Sequence, residues 1–262
     1  MNVSQAVFAA TLIALGILGL IRGDYTPIWR PAPTGLPPHE FLAYLCAGIT
    51  LACGVGLQWP RAAAIAARVL LASLLLWTVF IKLPEVFPAP MALGSWFGVS
   101  ETFVLVAAAW ILYVARATDW DKRHLNFATG IRGLRIATVL YGLALIHFGL
   151  AHFVYVDQTT VLVPGWLPSH LFWAYFTGAA YITAGASILI GRWSRLAAIL
   201  SAVQIAGFTF LVWIPIVAAG SKDEFQWSET ILSWALTSAA WVLADSYRNA
   251  ASAALASDHR IH

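Results

Sequence analysis

Residues 134–154 read LRIATVLYGLALIHFGLAHFV, and this stretch sets the character of the whole chain. It holds one arginine and no Lys, Asp or Glu among its 21 residues. A helix needs about 20 mostly apolar residues to cross roughly 30 Å of hydrocarbon. The stretch lacks the alternation of apolar and polar residues seen in barrel strands, and a helix satisfies its own backbone groups in lipid. It therefore predicts a transmembrane helix.

The composition of the rest of the chain is similar. Of the 262 residues, 60% are hydrophobic and 10% are charged, and the mean hydropathy is +0.77. Soluble proteins carry about 25% charged residues. This composition excludes a soluble globular domain, a disordered chain and a nucleic-acid-binding protein, and it makes the lipid bilayer the expected partner.

Seven further apolar runs join the first. The predicted spans cover residues 5–21, 40–57, 62–83, 96–114, 134–154, 169–190, 196–218 and 228–244. Pro215 lies late in the seventh span and should kink or end it. We expect an all-α, polytopic membrane protein with eight transmembrane helices.

The distribution of Lys and Arg predicts the orientation. With eight spans both termini lie on one side, and that side carries eleven of the 15 Lys and Arg residues. The other four are Arg22, Arg30, Lys82 and Lys222. Because cytoplasmic loops carry an excess of Lys and Arg, we expect a multi-pass protein of the bacterial inner membrane with both termini cytoplasmic.

The two halves of the chain repeat each other at a separation of 131 residues. LPPH at residues 36–39 matches LPSH at residues 167–170, and further identities follow without a gap. They pair Phe41 with Phe172, Tyr44 with Tyr175, Gly54 with Gly185, Arg61 with Arg192, Thr78 with Thr209, Pro84 with Pro215, Trp96 with Trp227 and Trp110 with Trp241. Chance similarity between apolar segments does not readily explain Pro, His, Arg and Trp in one register.

The repeat predicts the domain organisation. Residues 1–118 form a first four-helix membrane repeat, 119–131 a cytoplasmic linker, 132–248 a second repeat and 249–262 a cytoplasmic tail. Four spans return the chain to its starting side, so both repeats have the same topology and an axis along the membrane normal relates them. We expect two four-helix bundles side by side, with small residues where helices approach closely, at Gly142, Gly149, Gly178 and Gly185.

The second half resembles the DoxX-like family of small integral membrane proteins. The resemblance rests on LVPGWLP at residues 162–168, on YFTGA at 175–179 and on GLAHF at 149–153. The first half departs from it, because PTGLP at residues 33–37 replaces the proline–tryptophan run and Arg22 stands near the place of His152. The resemblance implies a four-span helical unit, here doubled, and a link to sulfur, quinone or oxidative-stress redox chemistry.

Histidines in and beside the spans are candidate ligand residues. His39 and His170 each follow Leu-Pro-x at the outer start of a span and precede aromatic residues, including Tyr44 and Tyr175. They either start a helix within an interfacial aromatic belt or anchor a quinone, a lipid carbonyl or a metal. His147 and His152 point about 140° apart on one helix and cannot chelate one metal together. His152 either serves a ligand or a proton transfer, or bonds a neighbouring helix.

Glu101 and Glu229 recur within Ser-Glu-Thr, in registers that differ by three residues. In one interpretation Ser100 and Ser228 cap helices that carry a glutamate in the first turn. In the other, each carboxylate faces into its bundle near His39 or His170.

A dithiol redox centre is not expected. Cys46 and Cys53 are the two cysteines, and seven residues of helix separate them by about 10.5 Å, beyond the reach of a disulfide. We expect both to be small core residues.

The leading hypothesis is a quinone-like or lipid-like ligand site that opens on the outer side. Its expected residues are His39, His152, His170, Glu101, Glu229, Tyr44, Tyr175 and Trp166, with no metal site and no assigned catalytic residue. If the protein is enzymatic, it is expected to be an oxidoreductase subunit. Its expected partner is a redox subunit that carries the electron-transfer cofactor, or a second copy of the chain in a homo-oligomer. The alternatives are a membrane scaffold or assembly factor and a small-solute transporter.

Overall fold

The computed structural model describes residues 2–30, 32 and 39–258. Within these ranges the chain forms helices and turns and no strand. The long helices are α1 (Val3–Arg22), α2 (His39–Gln58), α3 (Ala63–Trp77), α4 (Phe97–Ala115), α6 (Gly130–Val154), α8 (His170–Ile190), α9 (Ser194–Phe208) and α11 (Glu224–Asp258). The short ones are α5 (Asp119–His124), α7 (Val156–Thr160) and α10 (Ile214–Ala218). The all-helical prediction is confirmed.

Among the described residues, seven helical segments are long and apolar enough to cross a membrane. They are Val3–Arg22, His39–Gln58, Ala63–Val86, Leu93–Ala115, Gly130–Val154, His170–Ile190 and Ser194–Ala218. The eighth predicted span, residues 228–244, lies within α11, which is not among the seven. Helix α11 extends to Asp258 into the predicted tail, while residues 259–262, and residues 36–38 of the first LPPH motif, lie outside the described residues.

Glycines bring two pairs of helices into close contact. A Cβ atom at Gly16 of α1 would lie 2.6 Å from the backbone nitrogen of Leu51 in α2. A Cβ atom at Gly149 of α6 would lie 2.5 Å from Cγ1 of Ile182 in α8. Real Cβ contacts are longer than this, so each helix pair packs at a distance that requires glycine.

The close-approach prediction for the second half is confirmed. A Cβ at Gly178 would lie 2.8 Å from that of His152, one at Gly185 would lie 2.6 Å from the carbonyl oxygen of Gly142, and one at Gly142 would lie 2.9 Å from Leu189. All four predicted glycines therefore lie in the interface between α6 and α8.

Helices α3 and α9 both widen before a proline. Residues Thr78–Lys82 and Thr209–Trp213 form π-helical turns, in which the amides of Leu83 and Ile214 reach the carbonyls of Thr78 and Thr209. Pro84 and Pro215 follow directly. Proline removes an amide and crowds the carbonyl four residues earlier, and a wider turn accommodates both effects. The kink predicted at Pro215 takes this form.

The two halves share one hydrophobic core. Helix α4 packs along α6, helix α11 packs along α1, and α4 also contacts α11. The fourth long helix of each half therefore lies against the first helix of the other half. Residues of all eight long helices belong to one buried cluster, within which α4 is enclosed over a continuous stretch from Val104 to Tyr113.

Polar contacts define the two ends of the helix bundle. At the end that carries α5, called the linker end here, Ser4 donates to Asp245 at 2.6 Å and Arg68 donates to Asp121 at 2.9 Å. At the opposite end, Arg30 forms an ion pair with Glu224 at 2.9 Å. The contacts place the start of α1, the end of α4 and the late part of α11 together.

The 3₁₀ turn Pro27–Trp29, which follows α1, lies buried inside the first half. Ile28 and Trp29 are each 1% exposed. The indole N–H of Trp29 donates to Thr50 Oγ1 at 3.0 Å, and the indole N–H of Trp77 donates to the Trp29 carbonyl at 3.0 Å. The chain itself therefore fills the interior of this half near the end opposite the linker.

Candidate functional site

Lys82 is a buried cation at the end of an apolar helix. The chain has three lysines, and Lys82 is 2% exposed, whereas Lys122 and Lys222 are exposed. The π turn before Pro84 carries Lys82 towards α4, where its Nζ donates to the Gly98 carbonyl at 3.1 Å. An ionisable side chain buried in a membrane segment is costly and marks a functional site more often than a surface charge does.

Carboxylates surround this lysine. Lys82 interacts electrostatically with Glu101 of α4 and with Glu85. Glu101 also interacts with Glu229 of α11, so the charges extend across the contact between α4 and α11. Lys82, Glu85, Glu101 and Glu229 thus form a series of groups within electrostatic range of their neighbours, near the end opposite the linker and where α4 contacts α11.

A cavity of about 290 Å³ opens beside these groups. Its walls include Lys82, Glu85, Ser95, Phe97, Gly98 and Glu101. An ammonium has three N–H donors, and the described residues give Lys82 one acceptor, the Gly98 carbonyl. The cavity therefore combines hydrogen-bond donors, two carboxylates and an aromatic wall.

His147 contacts Phe97, an aromatic residue of the cavity wall. Its ring packs edge-on against Phe97 at 5.1 Å, and its Nε2 lies 2.9 Å from the Leu93 carbonyl. A carbonyl only accepts, so Nε2 carries the hydrogen. The other nitrogen, Nδ1, is buried without a hydrogen-bond partner among the described residues. His147 thus holds the start of α4 against α6.

His152 lies elsewhere, in the interior of the second half. Its Nδ1 donates to the Phe148 carbonyl at 2.7 Å, and its ring packs against Tyr181 at 5.5 Å and Phe208 at 5.6 Å. Nε2 is buried and has no partner within the described part of the chain. The prediction that His147 and His152 point in different directions is confirmed, since one faces α4 and the other faces α8 and α9.

The other predicted residues lie near the ends of helices. His39 begins α2, packs edge-on against Tyr25 at 4.9 Å, and has Nε2 3.9 Å from Asp24. Tyr44 is 46% exposed, and its hydroxyl lies over Gly23 at the end of α1.

In the second half His170 begins α8 and is partly buried, after Ser169, whose φ of 58° is left-handed. Tyr175 stacks on Phe153 at 5.4 Å, and Trp166 is 70% exposed in the preceding loop. Of the eight predicted residues, Glu101 and Glu229 lie within electrostatic range of each other, and no hydrogen bond or ion pair joins either to His39 or His170 among the described residues.

The capping interpretation of the two glutamates is wrong. Helix α4 begins at Phe97, and α11 begins at Glu224. Ser100 and Ser228 therefore lie inside helices rather than at their N-caps. The 3₁₀ turn Leu93–Trp96 leads directly into α4, which moves the start of the helix upstream.

Lys82 is the functional candidate that the sequence interpretation missed. It was counted as one of four basic residues at the outer side, although the predicted span 62–83 includes it. A lysine between Ile81 and Leu83, inside a span, was the available signal. Cys46 and Cys53 are both buried and free, as core residues would be.

Comparison with known proteins gives one family. Residues 141–244 match the model of a domain of unknown function, DUF8561. The matched region runs from α6 into α11 and covers less than half of the chain. No curated protein and no solved structure matches the sequence.

Proposed function

We propose that this protein is a DoxX-like membrane protein of eight spans that binds the head group of a quinone-like ligand in the cavity beside Lys82. The observation that carries the proposal is the buried ammonium of Lys82 beside a cavity of about 290 Å³. Three steps support it: the duplicated architecture, the orientation in the membrane and the chemistry of the cavity.

The duplicated architecture is supported by matching contacts. Gly16 meets Leu51 in the first half, and Gly149 meets Ile182 in the second. The second residues differ by 131 positions and the glycines by 133, which indicates a two-residue gap between the first and second helix of each half. The same helix pair thus uses the same small-residue contact twice.

The π-helical turns match as well. Thr78–Lys82 and Thr209–Trp213 differ by 131 positions at both ends, and each precedes a proline. These irregular turns are rare, so their recurrence at the repeat separation favours duplication over independent origin. In this architecture α11 is the eighth span. Helix α4 of the first half packs along α6 of the second half, and α11 of the second half packs along α1 of the first.

His152 fits this scheme as a core residue. Its neighbours Tyr181 and Phe208 stand 131 positions after Thr50 and Trp77, which enclose Trp29 in the first half. The ring of His152 then takes the place that the indole of Trp29 takes in the other repeat. The ligand site in this proposal lies beside Lys82 and not at His152.

The orientation places both termini in the cytoplasm of a bacterial inner membrane. It is supported by the eleven Lys and Arg residues that the eight-span topology assigns to the side of the termini. Lys122 lies in α5 at the linker end, and Lys222 lies in the connection before α11.

Variants that each carry one added cysteine test this orientation. In intact cells a membrane-impermeant maleimide should label Lys222→Cys and leave Lys122→Cys unlabelled until the cells are opened. The native Cys46 and Cys53 are buried and supply little background. Labelling of Lys122→Cys alone would invert the orientation, and labelling of both from outside would contradict the span count.

The chemistry of the cavity favours a neutral ring with carbonyl oxygens. Lys82 can donate hydrogen bonds to a ligand carbonyl, Phe97 supplies an aromatic wall, and Glu101 places a carboxyl group beside the same space. A fully charged ligand would add charge to a site that already holds a cation and carboxylates. In this proposal a redox role takes a partner subunit that carries the electron-transfer cofactor.

Replacing Lys82 by methionine should weaken the binding of decylubiquinone at least tenfold, about 1.4 kcal/mol. Methionine keeps the length of the side chain and removes its donors. Because the buried Glu101 then loses its neighbouring cation, the melting temperature should fall as well. Isothermal titration of the protein in lipid nanodiscs measures the affinity.

Lys222→Met is the matched control, because that lysine is exposed near the same end of the molecule. It should bind decylubiquinone like the wild type. If Lys82→Met unfolds, the affinity of Glu101→Gln for decylubiquinone gives a second test of the same cavity. Equal affinity in wild type, Lys82→Met and Glu101→Gln would place any quinone elsewhere, and no binding by the wild type would end the proposal.

Proton-coupled transport of a small solute is a second candidate function. It is favoured by the electrostatic link from Lys82 through Glu101 to Glu229, because such groups form proton relays in membrane transporters. A scaffold role needs none of these three residues. Proton flux into proteoliposomes that is lost in Glu101→Gln, together with unchanged quinone binding, separates the transporter from the quinone-binding protein.

A further inference from the structure

A groove of about 520 Å³ runs between α9 and α11 on the outside of the helix bundle. Its floor and sides are apolar and include Val7 of α1, Ala206 and Phe210, and Trp241. Arg195 and Arg248 lie at one end, where α9 begins and α11 runs on towards its C-terminus.

The groove ends in the middle of the bundle. Trp234 forms its inner wall, and the indole N–H of Trp234 donates to Thr11 Oγ1 of α1 at 3.0 Å. From Trp234 to Arg248 the helix advances 14 residues, about 21 Å. Half of a bilayer with its head groups is about 20–22 Å thick. The groove therefore has the length of one leaflet.

The charges at the groove mouth favour an anion. Asp245 accepts from Ser4 at 2.6 Å and pairs with Arg248 at 3.0 Å, so the protein neutralises this carboxylate itself. Arg195 is exposed in the first turn of α9, and no described carboxylate pairs with it. The mouth thus keeps a guanidinium free for a phosphate, which guanidinium binds well.

We propose that this groove, hereafter the α9–α11 groove, binds one anionic phospholipid of the leaflet at the linker end. One acyl chain lies along Ala206 and Trp241 as far as Trp234, and the phosphate lies at Arg195 and Arg248. The site is separate from the Lys82 cavity, and it stands whether or not that cavity binds a quinone.

Native mass spectrometry of the full chain in detergent tests the proposal with added phosphatidylglycerol and phosphatidylcholine. Phosphatidylglycerol should bind at least tenfold more tightly. Arg195→Gln should remove this preference while phosphatidylcholine binding stays the same, and Ala206→Phe should weaken both lipids by filling the groove. Arg132→Gln is the matched control, an exposed arginine outside the groove, and should behave like the wild type.

Three results would overturn the proposal. They are equal affinity of the wild type for both lipids, an equal loss of preference in Arg132→Gln and Arg195→Gln, and a dimeric mass that disappears in Ala206→Phe. The last result would assign the groove to a second copy of the chain. If Ala206→Phe lowers the melting temperature, Arg195→Gln decides alone, because it changes no packed residue.

Discussion

The Asp121→Ala variant should lose about 1–3 kcal/mol of the free energy of unfolding, the usual cost of leaving buried hydrogen-bond donors without their acceptor. Asp121 is 1% exposed, and both of its carboxylate oxygens accept from Arg68, at 3.0 and 2.9 Å. It also accepts from Tyr113 at 3.0 Å and from Thr118 at 2.6 Å. Alanine leaves these donors without their acceptor and removes the capping box of α5.

Unfolding in mixed detergent micelles, followed by circular dichroism, measures this loss. Asp119→Ala is the control, because that aspartate lies on the same short helix and is exposed. It should melt like the wild type. Similar melting of both variants would show that the Arg68–Asp121 contact does not hold the linker to α3.

The same network predicts a loss of stability in acid. Burial by itself would raise the pKa of Asp121, but the hydrogen bonds from Arg68, Thr118 and Tyr113 outweigh it and hold this pKa well below its ordinary value. The stabilisation is therefore complete above the unfolded pKa of about 3.9 and is lost as the pH falls from there towards the folded pKa. Asp121→Asn should melt with a shallower dependence on pH between about 4 and 3 than the wild type.

The Gly149→Ala variant should lose about 1–3 kcal/mol, because one methyl group overfills the contact between α6 and α8. The added Cβ would lie 2.5 Å from Ile182 and 2.6 Å from the carbonyl oxygen of Gly178. A backbone oxygen cannot turn aside as a flexible side chain can, so the two helices must separate. The loss exceeds the helix propensity that alanine gains over glycine, about 1 kcal/mol.

Gly207→Ala should have the opposite effect on stability. Gly207 lies in α9, and no atom lies within 4 Å of the position that its Cβ would take. This variant should melt at or above the wild-type temperature. If Gly149→Ala melts no lower than Gly207→Ala, the close approach of α6 and α8 is wrong. Under the proposed duplication, Gly16→Ala in α1 should repeat the loss seen for Gly149→Ala.

Hydrophobicity and helix length are local properties, and the sequence was sufficient for them. Seven of the eight predicted spans correspond to apolar helices, and the glycines Gly142, Gly149, Gly178 and Gly185 were correctly placed in helix contacts. A stretch such as residues 134–154 is apolar regardless of its neighbours, and lipid allows its backbone little choice but a helix.

Neighbour relations were not predictable in the same way. Lys82 was counted with the loops, yet a π turn directs it into a buried contact with Gly98. Trp29 was part of a predicted loop, yet it enters the first half and donates to Thr50. Ser100 was a candidate cap, yet α4 begins at Phe97. In each case the outcome depends on a partner that is distant in the chain or on an irregular turn.

Packing explains this division. In lipid the apolar surroundings of a helix resemble the interior of the bundle, so hydrophobicity predicts that a segment enters the membrane but not which helix it meets. The choice of partner depends on the fit of small residues and on a few buried polar groups. That fit places α4 along α6 and α11 along α1, while a groove stays open between α9 and α11.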